Sequence, residues 1–269
     1  MKKLLLFGFS FVLINNIISQ SISRKVIASA GGYYIGNNIN VNYTIGETVI
    51  NTLSVPNTIV TQGFQQPDNF SVTSLQVKAF LQGSYIGGGL MSPTLFNLDE
   101  APDATATDTV QIELWSTSDL PNNNPSYFEK AILHSNGIAN ANFTSDIIDN
   151  NYYIAVKHRN SIETWSANPV NFTDSTQYDF TNNLNAAYGD GQNPPMKFME
   201  DGVYAFYSGD INQDGAIDGF DLQLTENDAS NFYFGYNNSD CTGDGSSDGF
   251  DLQIIENNCS LFLFKARPY

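Results

Sequence analysis

Asp210-Ile-Asn-Gln-Asp-Gly-Ala-Ile-Asp-Gly-Phe-Asp221 is answered thirty residues later by Asp240-Cys-Thr-Gly-Asp-Gly-Ser-Ser-Asp-Gly-Phe-Asp251. Each twelve-residue stretch carries oxygen donors at positions 1, 3, 5, 9 and 12, with glycine at position 6, where a calcium loop turns sharply. In the first loop the expected ligands are the side chains of Asp210, Asn212 and Asp214, the carbonyl of Ala216, Asp218 directly or through a water, and Asp221. In the second they are Asp240, Thr242, Asp244, the carbonyl of Ser246, Asp248 and Asp251. The segments after the loops also repeat, Asp221-Leu-Gln-Leu-Thr-Glu-Asn227 against Asp251-Leu-Gln-Ile-Ile-Glu-Asn257, so the unit is a loop followed by a helix. The pattern implies two calcium ions. Without a cation, four carboxylates in one loop repel each other and leave it loose. Asp-Asn-Gly clusters also make ordinary turns, but duplication in register argues for ligation.

Both loops end in aspartate where the usual EF-hand pattern has glutamate. The second loop also has Thr242 in place of an amide or carboxylate, and Ser247 where the first has Ile217, so it is expected to bind more weakly. Aspartate at position 12, the missing entering helix and the tandem spacing resemble a type I dockerin, over residues 208–260. That resemblance implies two loop–helix units packed with pseudo-two-fold symmetry, two bound calcium ions and a docking surface for a cohesin-like or other surface protein. In that family, loop positions 10 and 11 help to choose the partner. Here they are Gly219-Phe220 and Gly249-Phe250, the same in both copies, which is compatible with a symmetric docking face. The alternative is that Phe220 and Phe250 fill the small module's core. Glu226, Asp228 and Glu256 stand where cohesin-binding members usually carry basic residues.

Working outward, the chain opens with Met1-Lys-Lys and an apolar run from Leu4 to Ile14. This reads as a secretory signal peptide over residues 1–20, too short to span a bilayer, with cleavage between Ser19 and Ser23. The expected location is extracellular or on the surface of a Gram-negative bacterium, with no membrane span after cleavage. The formal net charge of −17, with 11 Lys and Arg against 28 Asp and Glu, excludes the basic patch a nucleic-acid partner requires. Cys241 and Cys259 both lie in the second repeat, where the first has Ile211 and Ala229. They read as a disulfide between loop and helix, which export permits, or as two buried thiols.

The remaining sequence predicts a mainly β chain. Residues 24–66 alternate short apolar runs with Gly and Pro turns and resemble a leader segment of secreted Bacteroidetes proteins. Residues 74–185 read as a β-sandwich, with strands at 75–81, 109–115, 127–134, 137–143, 152–158 and 177–180; their order resembles transthyretin-like modules. Gly83–Met91 and Asp99–Asp108 read as long surface loops, 186–207 as a connector whose end leads directly into Asp210, and 261–269 as a C-terminal strand or tail. His158, Arg159, Asn160, Glu163 and Trp165 form either a polar ridge for sugar or peptide, or a structural corner capped by the indole. No nucleophile elbow or His-Glu-x-x-His occurs, and two histidines leave little for a triad, so no enzyme is expected. The reading is a calcium-binding docking or assembly protein at the cell surface, with polysaccharide processing as its setting. The alternatives make calcium purely structural, or give the sandwich a glycan through Trp115 and Trp165.

Overall fold

The computed structural model describes residues 72–269 and four short strands before them. These four form two antiparallel hairpins, β1 (Ala30–Ile35) with β2 (Asn40–Ile45) and β3 (Thr52–Val55) with β4 (Thr58–Thr61). They belong to a unit, Met1–Asn69, separate from the unit Phe70–Tyr269. The expected signal peptide lies outside the described residues.

The second unit is mainly β. Its strands are β5 (Val72–Lys78), β6 (Tyr85–Gly87), β7 (Leu90–Met91), β8 (Ala106–Trp115), β9 (Tyr127–His134), β10 (Ile138–Thr144), β11 (Asn151–His158), β12 (Ser161–Trp165), β13 (Val170–Asn171), β14 (Ser175–Asp179), β15 (Lys197–Phe198), β16 (Tyr204–Ala205), β17 (Ala216–Ile217) and β18 (Leu263–Phe264). Helices are few and short: α1 (Thr94–Asn97), α2 (Gly219–Ser230) and α3 (Gly249–Cys259). The main sheet runs β12-β11-β8-β9-β10-β5-β14, with β13 added on β11. All its pairs are antiparallel except β14 with β5.

Period-two side-chain alternation builds this sheet. Along β5, Leu75 and Val77 are buried while Ser74 and Gln76 are only half-buried. Val110, Ile112 and Leu114 of β8 and Ile154 and Val156 of β11 join Leu75, Val77, Leu133, Ala141 and Phe180 in one core. β5 near one end of the path and β11 near the other both feed that core, so the sheet curls around it. The opposite faces of β8 and β11 are covered as well. There Trp115, Ala155 and Trp165 form a second cluster, with the two indoles 5.1 Å apart.

Gly83–Met91, expected as a plain surface loop, contains the β6–β7 hairpin, and the 186–207 connector contains the β15–β16 hairpin. The sequence predicted a strand only within residues 203–207, where β16 lies; the other short strands leave no periodicity. The chain then crosses back along the sheet: Ile162 N–H donates to the Tyr207 carbonyl at 2.9 Å, and Ser161 bridges Ser208. That crossing delivers Asp210 directly to the sheet's corner.

Candidate metal centre

Both loops fold the same way, from the same local chemistry. Gly215 and Gly245 each sit at φ +89°, a left-handed conformation that side chains oppose. Asp218 and Asp248 cap α2 and α3, each accepting from the N–H of the phenylalanine two residues on, at 2.8 Å. Asp221 and Asp251 complete the capping boxes by reaching back to the cap N–H at 2.9 Å. Their other oxygens accept from the start of the loop. Asp221 Oδ1 takes the N–H groups of Ile211 and Asn212 at 2.8 and 3.1 Å; Asp251 Oδ1 takes those of Cys241 and Thr242, both at 2.9 Å. The position-12 aspartate therefore ties the loop's two ends together while capping the helix, a reach for which the shorter side chain suffices.

The remaining predicted ligands line the same turns. Asp210 Oδ2 accepts from Gly215 N–H at 3.2 Å, and Asp240 Oδ2 from Gly245 N–H at 3.0 Å. Asn212 and Asp214 accept from the backbone two residues on, at 2.9 Å each, as does Asp244. Thr242 Oγ1 lies 3.3 Å from Asp240 Oδ1. Asp210, Asp221, Asp240 and Asp251 are buried, whereas Asp214 and Asp244 face solvent.

Among the described residues no three His, Cys, Asp or Glu side chains are already drawn together as a cage. The shell such a loop offers also relies on Asn212, Thr242 and the Ala216 and Ser246 carbonyls, and its carboxylates repel one another. Two observations fit a hard cation in the first loop. Asp210 Oδ1 is buried with no hydrogen-bond partner. Burial, reinforced by the charges of Asp221 and Asp214, pushes the Asp210 carboxyl up to about 7. In the second loop burial raises Asp240 and takes Asp251 to about 6. A divalent cation would supply the countercharge these buried carboxylates lack. The donor set of oxygen atoms alone suits calcium.

The repeat reaches further than residue 260. Phe232 and Phe262, thirty residues apart, both adopt a left-handed backbone, at φ 53° and 52°, just beyond their helices. Each tail then crosses to the other repeat's loop. Leu263 and Phe264 pair with Ile217 and Ala216, while Phe234 bridges Ser246. Lys265 N–H donates to the Gly215 carbonyl at 2.7 Å, as Gly235 N–H does to Gly245 at 2.9 Å. The signal was present in the sequence as Phe232-Tyr-Phe234 against Phe262-Leu-Phe264.

Phe220 and Phe250 are each 68 % exposed. The module's core is instead Ile211, Ile217, Cys241, Ile255 and Leu263, completed by Ile162 and Tyr207 from the sheet side. Cys241 and Cys259 are both free thiols, so the disulfide expected from the sequence is not formed. Cys241 is buried in that apolar core, and burial pushes its thiol up; Cys259 is only half-buried, at the end of α3.

The run 158–165 is a structural corner. Asn160 and Trp165 are 1 % and 0 % exposed, and Trp115 is 3 % exposed, so neither indole offers a stacking face to a sugar. Their N–H groups donate to Glu163 and Glu113 at 2.5 and 2.9 Å, and Arg267 lies over both rings at 5.5–5.6 Å. His158 lies between Asp108 (Nε2 to Oδ2, 3.1 Å, off the hydrogen-bond axis) and Ser161 (Nδ1 to Oγ, 3.0 Å). The string has the members of a hydrolytic triad, but all three are buried beneath the module and give a substrate no access.

No family model matches the chain, and no curated protein matches it in sequence. Among solved structures it is similar to a chain of an N-terminal interface mutant of a type II cohesin–X-dockerin complex from Acetivibrio cellulolyticus. The two are 14 % identical, the match covers 69 % of this chain and 94 % of that one, and the TM-score is 0.41. A likeness at that level carries no argument about site or partner.

Proposed function

We propose that this chain is an exported, non-enzymatic calcium-binding protein whose duplicated C-terminal module docks a protein partner at the cell surface. The observation that carries the docking reading is the paired exposure of Phe220 and Phe250, each two-thirds open at the same turn of an equivalent helix. Large apolar side chains displayed twice in register, rather than singly, mark an interaction surface. Calcium bound by the two loops would hold those turns, because the capping aspartates Asp218, Asp221, Asp248 and Asp251 belong both to the loop and to the helix that presents the phenylalanine.

A second reading, in which calcium only braces the module, is favoured by the direct seating of the second loop on the sheet through Arg159 and Asn160. The two readings separate in one experiment. The mature protein is immobilised and exposed to the source bacterium's surface fraction, with calcium or with chelator, alongside a Phe220→Ser/Phe250→Ser variant. Docking requires a protein retained with calcium, released by chelator and not retained by the variant, whose melting temperature is unchanged. Equal retention by the variant removes the phenylalanines from the reading. Confirmed calcium binding with no protein retained leaves the bracing role.

A further inference from the structure

The corner between β11 and β12 touches the entrances of both loops. The Asn160 carbonyl accepts from Gly209 N–H at 2.6 Å, one residue before Asp210. The Asn160 amide donates to the carbonyls of Asn238 at 3.0 Å and Asp240 at 2.9 Å, the latter the first residue of loop two. Beside it, Arg159 donates to the Asn237 carbonyl, stacks on Tyr236 at 4.5 Å and meets Asp108 at 3.0 Å. Tyr236 O–H donates to the other Asp108 oxygen at 2.5 Å. Asn160 is 1 % exposed and Asp108 is 1 % exposed, so water does not compete for these bonds.

The second loop is seated on the sheet domain at further points. A Cβ on Gly83 would lie 2.1 Å from the Cys241 carbonyl oxygen, and one on Gly243 would lie 2.0 Å from Thr94 Oγ1. The first loop is covered instead by the C-terminal tail, whose Lys265 side chain packs against Gly215. Both arrangements fix backbone next to the position-1 aspartates, whose placement sets the rest of the shell.

We infer that Asn160, with Arg159 behind it, is a positioning residue for the calcium loops, so that calcium binding and the order of the sheet's β11–β12 corner form one linked equilibrium. The inference rests on the calcium reading above. It goes beyond that reading by assigning to the β domain the role that an entering helix has in an EF-hand. Ligand binding that requires an ordered corner must in turn stabilise it, because linkage is reciprocal.

The test is calorimetric calcium titration of the intact chain and of Asn160→Ala, with amide hydrogen exchange on the unmodified chain. Loss of two buried hydrogen bonds is expected to weaken calcium at the second loop by about tenfold or more. Calcium is expected to slow exchange of the Ile162 amide by a comparable factor, a measurement that does not depend on any variant folding. Unchanged affinity in Asn160→Ala, or unchanged exchange at Ile162 with calcium bound, overturns the inference while leaving the calcium reading intact. A wild-type chain that binds no calcium overturns both.

Discussion

Asp108 lies at the bottom of the corner with a buried carboxylate and three polar neighbours, His158, Arg159 and Tyr236. Burial alone would raise its pKa. The charges and hydrogen bonds of those neighbours outweigh burial and hold it well below the usual carboxylate range. A depressed folded-state pKa contributes stability above the unfolded value, and that stability is lost as pH falls through the folded one. Asp108→Asn is therefore expected to cost about 3–5 kcal/mol in urea unfolding at pH 7, since it removes the buried carboxylate that faces both His158 and Arg159. The deficit relative to wild type should shrink once pH falls below the ordinary carboxylate range; a deficit constant with pH would place the role of Asp108 in packing alone. Phe220 and Phe250 are the contrasting case. Both are open to solvent, so replacing them with serine is expected to change unfolding free energy by less than about 0.5 kcal/mol each.

At the scale of elements, the two loop–helix units hold each other through exchanged tails and hold the sheet through different partners. Gly83 is a close backbone approach between the sheet domain and loop two. Gly83→Ala should push the Cys241 carbonyl away and destabilise the unit by about 1–3 kcal/mol, as overpacking does. The check is its melting temperature against that of Gly88→Ala, where a Cβ meets nothing within 4 Å but the backbone is left-handed. Gly83 carries no such strain, so an unchanged melting temperature in Gly83→Ala would mean that the Cys241 carbonyl yields without cost. The tail is read out by the two tryptophans that it covers. Arg267→Ala removes the cation over Trp115 and Trp165 and is expected to shift tryptophan emission to longer wavelength. The strands of the main sheet were legible in the sequence because alternation marks them locally. β12 was not, because both its faces are covered and it shows no alternation; β18 was expected as a C-terminal strand, but its pairing with the two-residue β17 was not, because the two lie far apart along the chain. The exchange of tails was hidden for the same reason, although the repeated Phe-x-Phe that makes it lies in plain view.

Over the whole unit Phe70–Tyr269, the sheet and the duplicated loop–helix module share one compact body. Ile162 and Tyr207 contribute to the module's core, and the position-1 aspartates sit within one or two residues of hydrogen bonds to the sheet corner. Calcium is thus expected to raise the melting temperature of the entire unit in a single calorimetric transition, worth about 2.7 kcal/mol per site at a free concentration one hundred times the dissociation constant. Asp210→Asn with Asp240→Asn should abolish that calcium dependence. Two separated transitions, with only the upper or lower one responding to calcium, would show that the module folds apart from the sheet.

The sequence by itself determined the two loops, their glycines, their capping aspartates and the mainly β character of the rest. Those features depend on bonds spanning a few residues, and the thirty-residue repeat shows them twice. Only the tertiary structure decided that Phe220 and Phe250 face water, that the cysteines stay apart, and that Arg159 and Asn160 hydrogen-bond the entrance of the second loop while His158 lies buried against Asp108. Each of those outcomes turns on contacts between residues far apart along the chain, such as Asn160 with Asp240 and Arg159 with Asp108, or on which side of a helix a second element covers. No local pattern encodes that choice, because it follows from burying the most apolar surface while pairing every buried polar group.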